Sequence, residues 1–149
     1  MLPFKHGSKL EFTNLMTRAM LMQIKENKHD IDIILPVPLA SRRLFHRGYN
    51  QAAVLAKPIA RKLRIKIDYD SVRRQHRPDM GHKNARARAK NIRGVFLVKN
   101  TSQISGKNIL LVDDVYTTGA TFNELARVLQ KSGAKWVGGI TFCRVVRAI

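Results

Sequence analysis

The chain has 149 residues, the size of one ordinary domain, and 44% of them are hydrophobic, which is enough for a packed core and excludes global disorder. Lys and Arg number 28 against 10 acidic residues, and the formal net charge of +18 draws the chain toward polyanions: nucleic acid, polyphosphate or an acidic membrane surface. The single cysteine, Cys143, excludes an internal disulfide framework or a cysteine-rich metal site and fits a reducing, cytoplasmic setting, and neither a bilayer-spanning apolar run nor a signal-peptide core is found.

From the N-terminus, the spacing of Phe12, Leu15, Met16, Ala19 and Met22 predicts a helix over Glu11 to Ile24 with those residues on one core-facing side. Ile31 to Val37 reads as a strand ended by Pro36 and Pro38. The stretch PLASRRLFHRGYNQ then reads as a loop carrying Arg42, Arg43 and Arg47. Asn50 is placed to cap a helix through Gln51, Val54 and Leu55, which Pro58 is expected to kink or interrupt. A short strand is expected at Ile65 to Ile67.

Arg73 to Arg93 holds eight Lys or Arg against the single Asp79, together with Pro78 and Gly81, and reads as a long mobile loop with a helical turn over Ala85 to Asn91. Val95 to Val98 restores a strand and Ser102 to Lys107 reads as a turn. Ile109 to Val112 has the unbroken apolar run of a parallel strand buried on both faces. Thr121 opens a helix, with Thr121 and Glu124 as a capping box, Phe122, Leu125, Ala126 and Leu129 on the inner face, and Gly133 as the C-terminal cap. Val137 to Val146 is the last strand, and the final third is therefore a right-handed βαβ unit in an α/β chain with a mainly parallel sheet.

Ligands of such sheets bind beyond the C-terminal strand ends, where Asp113 and Asp114 fall. The loop from Tyr116 to Thr121 runs into a helix N-terminus, whose free N–H groups attract anions. Gly119 lets a phosphate approach the backbone, and Thr117, Thr118 and Thr121 add hydroxyl donors. Two carboxylates beside a phosphate belong there if they accept hydrogen bonds from sugar hydroxyls or help hold a cation, and a 5-phosphorylated ribose meets both demands. A P-loop ATPase would also place aspartates after an apolar strand, but no G-x-x-x-x-G-K-[ST] exists in the chain. A phospho-acceptor receiver domain carries its acidic pair near its start, whereas only 35 residues follow Asp114. A purely structural role, with Asp114 capping a turn, explains one aspartate but not the pair and the threonines.

LLVDDVYTTGAT, twelve consecutive positions from Leu110 to Thr121, resembles the signature of type I phosphoribosyltransferases, which bind phosphoribosyl pyrophosphate (PRPP). Pro36 to Gln51 resembles the Pro-Val-Pro-Leu … Arg-Gly-Phe-Asn-Gln block of the ComF competence family, with Tyr49 in the Phe place; NIRGVF at Asn91 to Phe96 and FKHG at Phe4 to Gly7 also resemble that family. The likeness implies a three-layer type I phosphoribosyltransferase-like fold over a single domain, residues 1–149, in which residues 1–30 form a partial hood with an N-terminal helix. It further implies that Asp113 and Asp114 contact the ribose hydroxyls and act in catalysis, with Thr117, Thr118, Gly119, Ala120 and Thr121 around the 5-phosphate. Arg43 and Arg47 would face the pyrophosphate, and Arg73, Arg74, Arg77, Lys83, Arg86 and Arg88 would lie on a flexible loop that closes over the site or meets nucleic acid. Mg²⁺ would come with PRPP, helped by Asp113 or Asp114.

The family's usual four-cysteine zinc ribbon has no counterpart, so no zinc is expected, and the Thr-x-x-Gln often found in the flexible loop is not present around Arg77 to Met80. The implied activity is Mg-dependent transfer of phosphoribosyl from PRPP to an acceptor in a cytoplasmic protein of natural transformation. The alternative is a single-stranded-DNA-binding competence factor with a sensory or inherited PRPP pocket. Other DNA-uptake proteins are further possible partners, and membrane insertion is not expected. His46, His76 and His82 carry no assigned role, and the acceptor is left open among purine, pyrimidine, amine and nucleic acid.

Overall fold

The computed structural model describes residues 6–26, 30–75 and 92–144, with side chains from residue 12 onward except at 26, 42 and 43. The elements in order are α1 (His6–Glu26), β1 (Ile33–Pro36), α2 (Ser41–Arg47), α3 (Gln51–Leu63), β2 (Lys66–Ile67), β3 (Val72–Arg74), β4 (Phe96–Val98), a 3₁₀ turn (Thr101–Gln103), β5 (Asn108–Tyr116), α4 (Ala120–Lys131) and β6 (Trp136–Arg144). Four strands form a parallel sheet in the order β2-β1-β5-β6, and β3 and β4 form a separate antiparallel ribbon. The α/β class and the mainly parallel sheet expected from the sequence are both present.

The two middle strands are apolar at consecutive positions because both of their faces are covered. Ile33, Leu35, Ile109 and Leu111 join Leu125 and Leu129 of α4 and Phe96 of the ribbon on one side. Ile34, Leu110 and Val112 join Met16 and Met20 of α1 and Leu55, Ala56 and Ile59 of α3 on the other. Leu55 and Ile59 are fully buried, each worth about 1.5–3 kcal/mol of transfer free energy.

Several expectations are corrected. The long predicted helix at the N-terminus exists, but its core face carries Met16, Thr17 and Met20, while Phe12, Leu15 and Met22 are half or more exposed. Every residue of the expected stripe is apolar, so periodicity alone could not choose between two overlapping faces. The loop after Pro38 contains helix α2, which ends at Gly48 in the left-handed region with φ 74°. Pro58 does not interrupt α3: the helix is continuous through it, held by buried Leu55, Ala56, Ile59 and Ala60 on both sides of the proline. Arg73 and Arg74 belong to strand β3, paired with Leu97 and Phe96, and not to a loop. The expected helical turn over residues 85–91, together with His76, Arg77, His82, Lys83, Arg86 and Arg88, lies outside the described residues.

Candidate functional site

From β1 the chain passes to α3, on the sheet face lined by Ile34 and Leu110; from β5 it passes to α4, on the opposite face. β1 and β5 are neighbours, so the chain winds away from them in opposite directions. That is a topological switch point, and the crevice beyond the C-terminal ends of β1 and β5 is where an open α/β sheet takes its ligand.

On the β1 side, Val37 N–H donates to Val112 O at 2.9 Å, extending the pairing with β5 past Pro36. Asn50 ties down the far end of this connection: its Nδ2 donates to Val37 O at 3.1 Å and its Oδ1 accepts from Ala52 N at 3.0 Å. Between these anchors runs α2, whose last residue, Arg47, is exposed to solvent. Arg43 lies on the same helix, its side chain outside the described ones.

On the β5 side, the strand is longer than the sequence suggests and runs to Tyr116, so Asp113 and Asp114 are strand residues rather than loop residues. Pairing with β6 continues alongside them, Asp113 opposite Thr141 and Val115 opposite Cys143. The whole connection to α4 is therefore Thr117, Thr118 and Gly119. Both carboxylates are half-buried. Asp113 is pushed up to about 7: burial is the main cause, the neighbouring Asp114 charge and a hydrogen bond with its side chain add to it, and the Asp114 N–H and the Arg74 charge oppose it. The Asp114 N–H donates to Asp113 Oδ1 at 2.9 Å. A carboxyl poised near neutrality gains from any ligand that brings it hydroxyl donors or positive charge.

The capping box expected from Thr121 and Glu124 is not formed. The N-cap is Gly119, with φ 73°, and no side chain caps the helix. Thr118 Oγ1 lies 3.4 Å from Ala120 N, a long contact across the turn. Gly119 is required twice over: its φ is left-handed, and a Cβ there would collide with the Tyr116 phenol, which is tucked against it. Thr117 and Thr118 are exposed, Ala120 and Thr121 half-buried. The first turn of α4 thus presents its backbone N–H groups without a side-chain cap, next to two hydroxyls and two carboxylates.

The sequence-predicted residues Asp113, Asp114, Thr117, Thr118, Gly119, Ala120 and Thr121 are brought together at this one strand-to-helix junction. Three residues to which sequence reasoning gave other roles or none join them. Arg74 comes from β3, with its guanidinium over the Phe96 ring at 5.5 Å, and its charge acts on Asp113. Tyr116 packs its ring 6.0 Å from that of Phe122 and under the Arg144 guanidinium at 5.7 Å. Glu124 is 6% exposed and accepts from Gly94 N at 2.6 Å. The Tyr-x-x-Gly spacing hints at the second of these; the other two depend on contacts between residues far apart in the chain.

As for a cation, no group of three or more His, Cys, Asp or Glu stands together among the described residues. Two adjacent carboxylates beside an uncapped helix entrance are a donor set that would suit Mg²⁺ held mainly by the oxygens of a phosphorylated ligand, with one or two carboxylates completing its shell.

The family profile described as the phosphoribosyl transferase domain matches residues 49–147. The chain belongs to this family. The phosphoribosyl transferase signature and the ComF resemblance seen in the sequence point the same way as its relatives. The chain is 30% identical over 148 residues to the DNA utilization protein YhgH of Escherichia coli, covering 95% of this chain and 64% of that protein. It is 31% identical over 139 residues to Competence protein F of Haemophilus influenzae, covering 89% and 61%, and 34% identical over 113 residues to Competence protein ComFC of Bacillus subtilis, covering 75% and 44%. The chain thus spans less than two thirds of the length of these relatives. Among solved structures the fold matches an adenine phosphoribosyltransferase of Thermoanaerobacter pseudethanolicus with TM-score 0.59 at 15% identity, over 92% of this chain and 70% of that one. It also matches a purine phosphoribosyltransferase of Pyrococcus horikoshii with TM-score 0.54 at 16% identity, over 88% and 71%. Such distant likenesses show the type I phosphoribosyltransferase fold. No described helix is long and apolar enough to cross a membrane.

Proposed function

We propose that this phosphoribosyl transferase domain binds PRPP across the ends of β1 and β5 and transfers its phosphoribosyl group to an acceptor, in a cytoplasmic protein of the competence type. The observation that carries this reading is the junction at Asp113 to Thr121, where paired carboxylates adjoin an uncapped helix entrance at the switch point of the sheet. The 5-phosphate takes the N–H groups of the first turn of α4 and the hydroxyls of Thr117, Thr118 and Thr121. The ribose hydroxyls donate to Asp113 and Asp114, and donation stabilises the ionised form of Asp113 against its burial. The pyrophosphate is assigned to Arg43 and Arg47, both in α2 on the β1 side of the crevice.

In the transfer, the bond from ribose C1 to the pyrophosphate oxygen breaks and its electron pair leaves with pyrophosphate. A lone pair of the acceptor forms the new bond to C1, and the acceptor proton passes to solvent. Positive charge grows on the ribose as the bond breaks, and the fixed carboxylates favour that charge while the arginines favour the leaving anion. Mg²⁺, when bound with the ligand, neutralises pyrophosphate charge. Titration calorimetry with PRPP and Mg²⁺ tests the reading: micromolar-range heat in the unmodified protein that Asp113→Ala removes supports it, and no binding by the unmodified protein overturns it.

A second reading rests on charge. The net charge of +18 and the exposed Arg73 on β3 favour phosphate-dominated contact with single-stranded DNA, with the PRPP pocket as a sensor. The names of the relatives, DNA utilization and competence proteins, support a role among DNA-uptake proteins. A gel-shift series with single-stranded DNA across salt is expected to show affinity falling steeply as salt rises; no shift at low ionic strength rejects this reading.

A further inference from the structure

We propose that Glu124 is a positioning residue: through Gly94 it fastens the β3–β4 ribbon to α4, and so fixes the place of the Arg74 guanidinium over the Phe96 ring. A glutamate on the inner side of an amphipathic helix needs a reason, because an apolar residue would fill the same space without desolvating a charge. Both oxygens of Glu124 are engaged: Oε1 accepts from Gly94 N at 2.6 Å and from Arg127 Nη2 at 2.6 Å, and Oε2 accepts from Arg127 Nε at 2.8 Å. Arg127, one helical turn on, neutralises the carboxylate, and its own side chain is 39% exposed. Among the described residues, only the Gly94 bond leaves the helix.

Gly94 has φ 73° and closes the turn in which Val95 N donates to Ile92 O at 3.2 Å. Directly after it comes β4, where Phe96 pairs with Arg74, and the ribbon is closed on the same side by Gln75 N donating to Val95 O at 2.8 Å. Phe96 is 2% exposed and shares a core cluster with Leu111 of β5 and Leu125 of α4. The ring of Phe96 in turn carries the Arg74 guanidinium on its face. Glu124, Gly94, Phe96 and Arg74 therefore form a continuous path from α4 to a cation on a different element, the Arg74 guanidinium on the Phe96 ring. The charged groups acting on Asp113 are Asp114 from its own strand and Arg74 from this ribbon. With the ribbon loosened, Arg74 would no longer be held over Phe96, where its charge acts on Asp113.

In its liganded form this inference rests on the PRPP reading above, and the experiment separates the two. PRPP affinity with Mg²⁺ is measured for the unmodified chain, Glu124→Ala, Arg74→Gln and the double variant. Each single change is expected to weaken binding about 10-fold, and the double variant to be no weaker than either, because both remove the same cation from the site. Glu124→Gln, which still accepts from Gly94, is expected to stay within about 3-fold. Multiplying losses in the double variant, or full affinity in Glu124→Ala, overturns the proposal. A purely structural Glu124 would lower melting temperature without that non-additivity. Should the unmodified chain not bind PRPP, the functional reading fails while the positioning claim is judged on the unliganded protein. There, NMR of Glu124→Gln and Glu124→Ala is expected to show graded loss of amide protection at Phe96 and Arg74 and a shifted Arg74 Nε–H resonance, with α3 unchanged. Unaltered signals at Phe96 and Arg74 would overturn it, and Glu124→Gln supplies the answer if Glu124→Ala does not fold.

Discussion

Helices α3 and α4 start from equivalent places, each beyond the C-terminal end of a central strand, and they begin in opposite ways. The N-terminus of α3 is closed by Asn50, whose side chain both caps the helix and grips Val37 of the preceding connection. The N-terminus of α4 has no side-chain cap and starts from a left-handed glycine after a three-residue turn. At one entrance a side chain takes an orphan N–H group; at the other the N–H groups stand uncapped with Asp113 and Asp114 beside them, and the proposed function gives them to a ligand. The site lies where the fold withholds a cap it supplies elsewhere.

The largest expected effect that would break this contrast is at Asp113. Asp113→Ala should weaken PRPP by roughly 100-fold, as befits losing charge-assisted hydrogen bonds to a sugar, and calorimetry measures it. Gly119→Ala attacks the open entrance itself. The left-handed φ and the collision with Tyr116 should cost about 2 kcal/mol in urea unfolding as well as ligand affinity.

The pH behaviour of Asp113 gives an intermediate effect. Its folded value of about 7 lies above the ordinary 3.8, so the folded protein holds this proton more tightly than the unfolded chain, and stability falls as pH rises from about 4 to 7 and then levels. Asp113→Asn removes that fall. Its stability advantage should be near zero at pH 4 and reach about 2 kcal/mol at pH 8, roughly half the full linkage value for a carboxyl that is only partly buried. An advantage that is flat with pH would contradict the assignment. The smallest effects form a reciprocal pair. Asn50→Ala should cost about 1 kcal/mol of stability with PRPP affinity unchanged, and Thr118→Ala should lower affinity about 5-fold with stability within about 0.5 kcal/mol. If Asn50→Ala changed affinity as much as Thr118→Ala, the two entrances would not be divided in function as described.

Much of the junction was legible because its signals are local. The apolar run at Ile109 to Val112, the Asp-Asp pair and the Thr-Thr-Gly-Ala-Thr turn occupy consecutive positions, and Asn50 sits one residue before the helix that it caps. What misled the reading was also local. A threonine three residues before a glutamate looks like a capping box, but Glu124 is turned inward to Gly94, 30 residues away. Arg73 and Arg74 look like the start of a cationic loop, but the chain pairs them with Leu97 and Phe96 across that segment. The stripe of Phe12, Leu15, Met16, Ala19 and Met22 looks like a core face, but of these the core takes Met16 and adds Met20, leaving Phe12, Leu15 and Met22 exposed.

By itself the sequence determined the secondary-structure class, the strand-turn-helix unit and the place of its short glycine turn, because periodicity, caps and glycine conformations act over a few residues. Only the tertiary structure decided which face of α1 is buried, that Arg74 lies over the Phe96 ring and that Glu124 accepts from Gly94 N. These depend on which distant surfaces meet when the sheet closes, and burial energy acts there across tens of residues of chain without leaving a mark at either end.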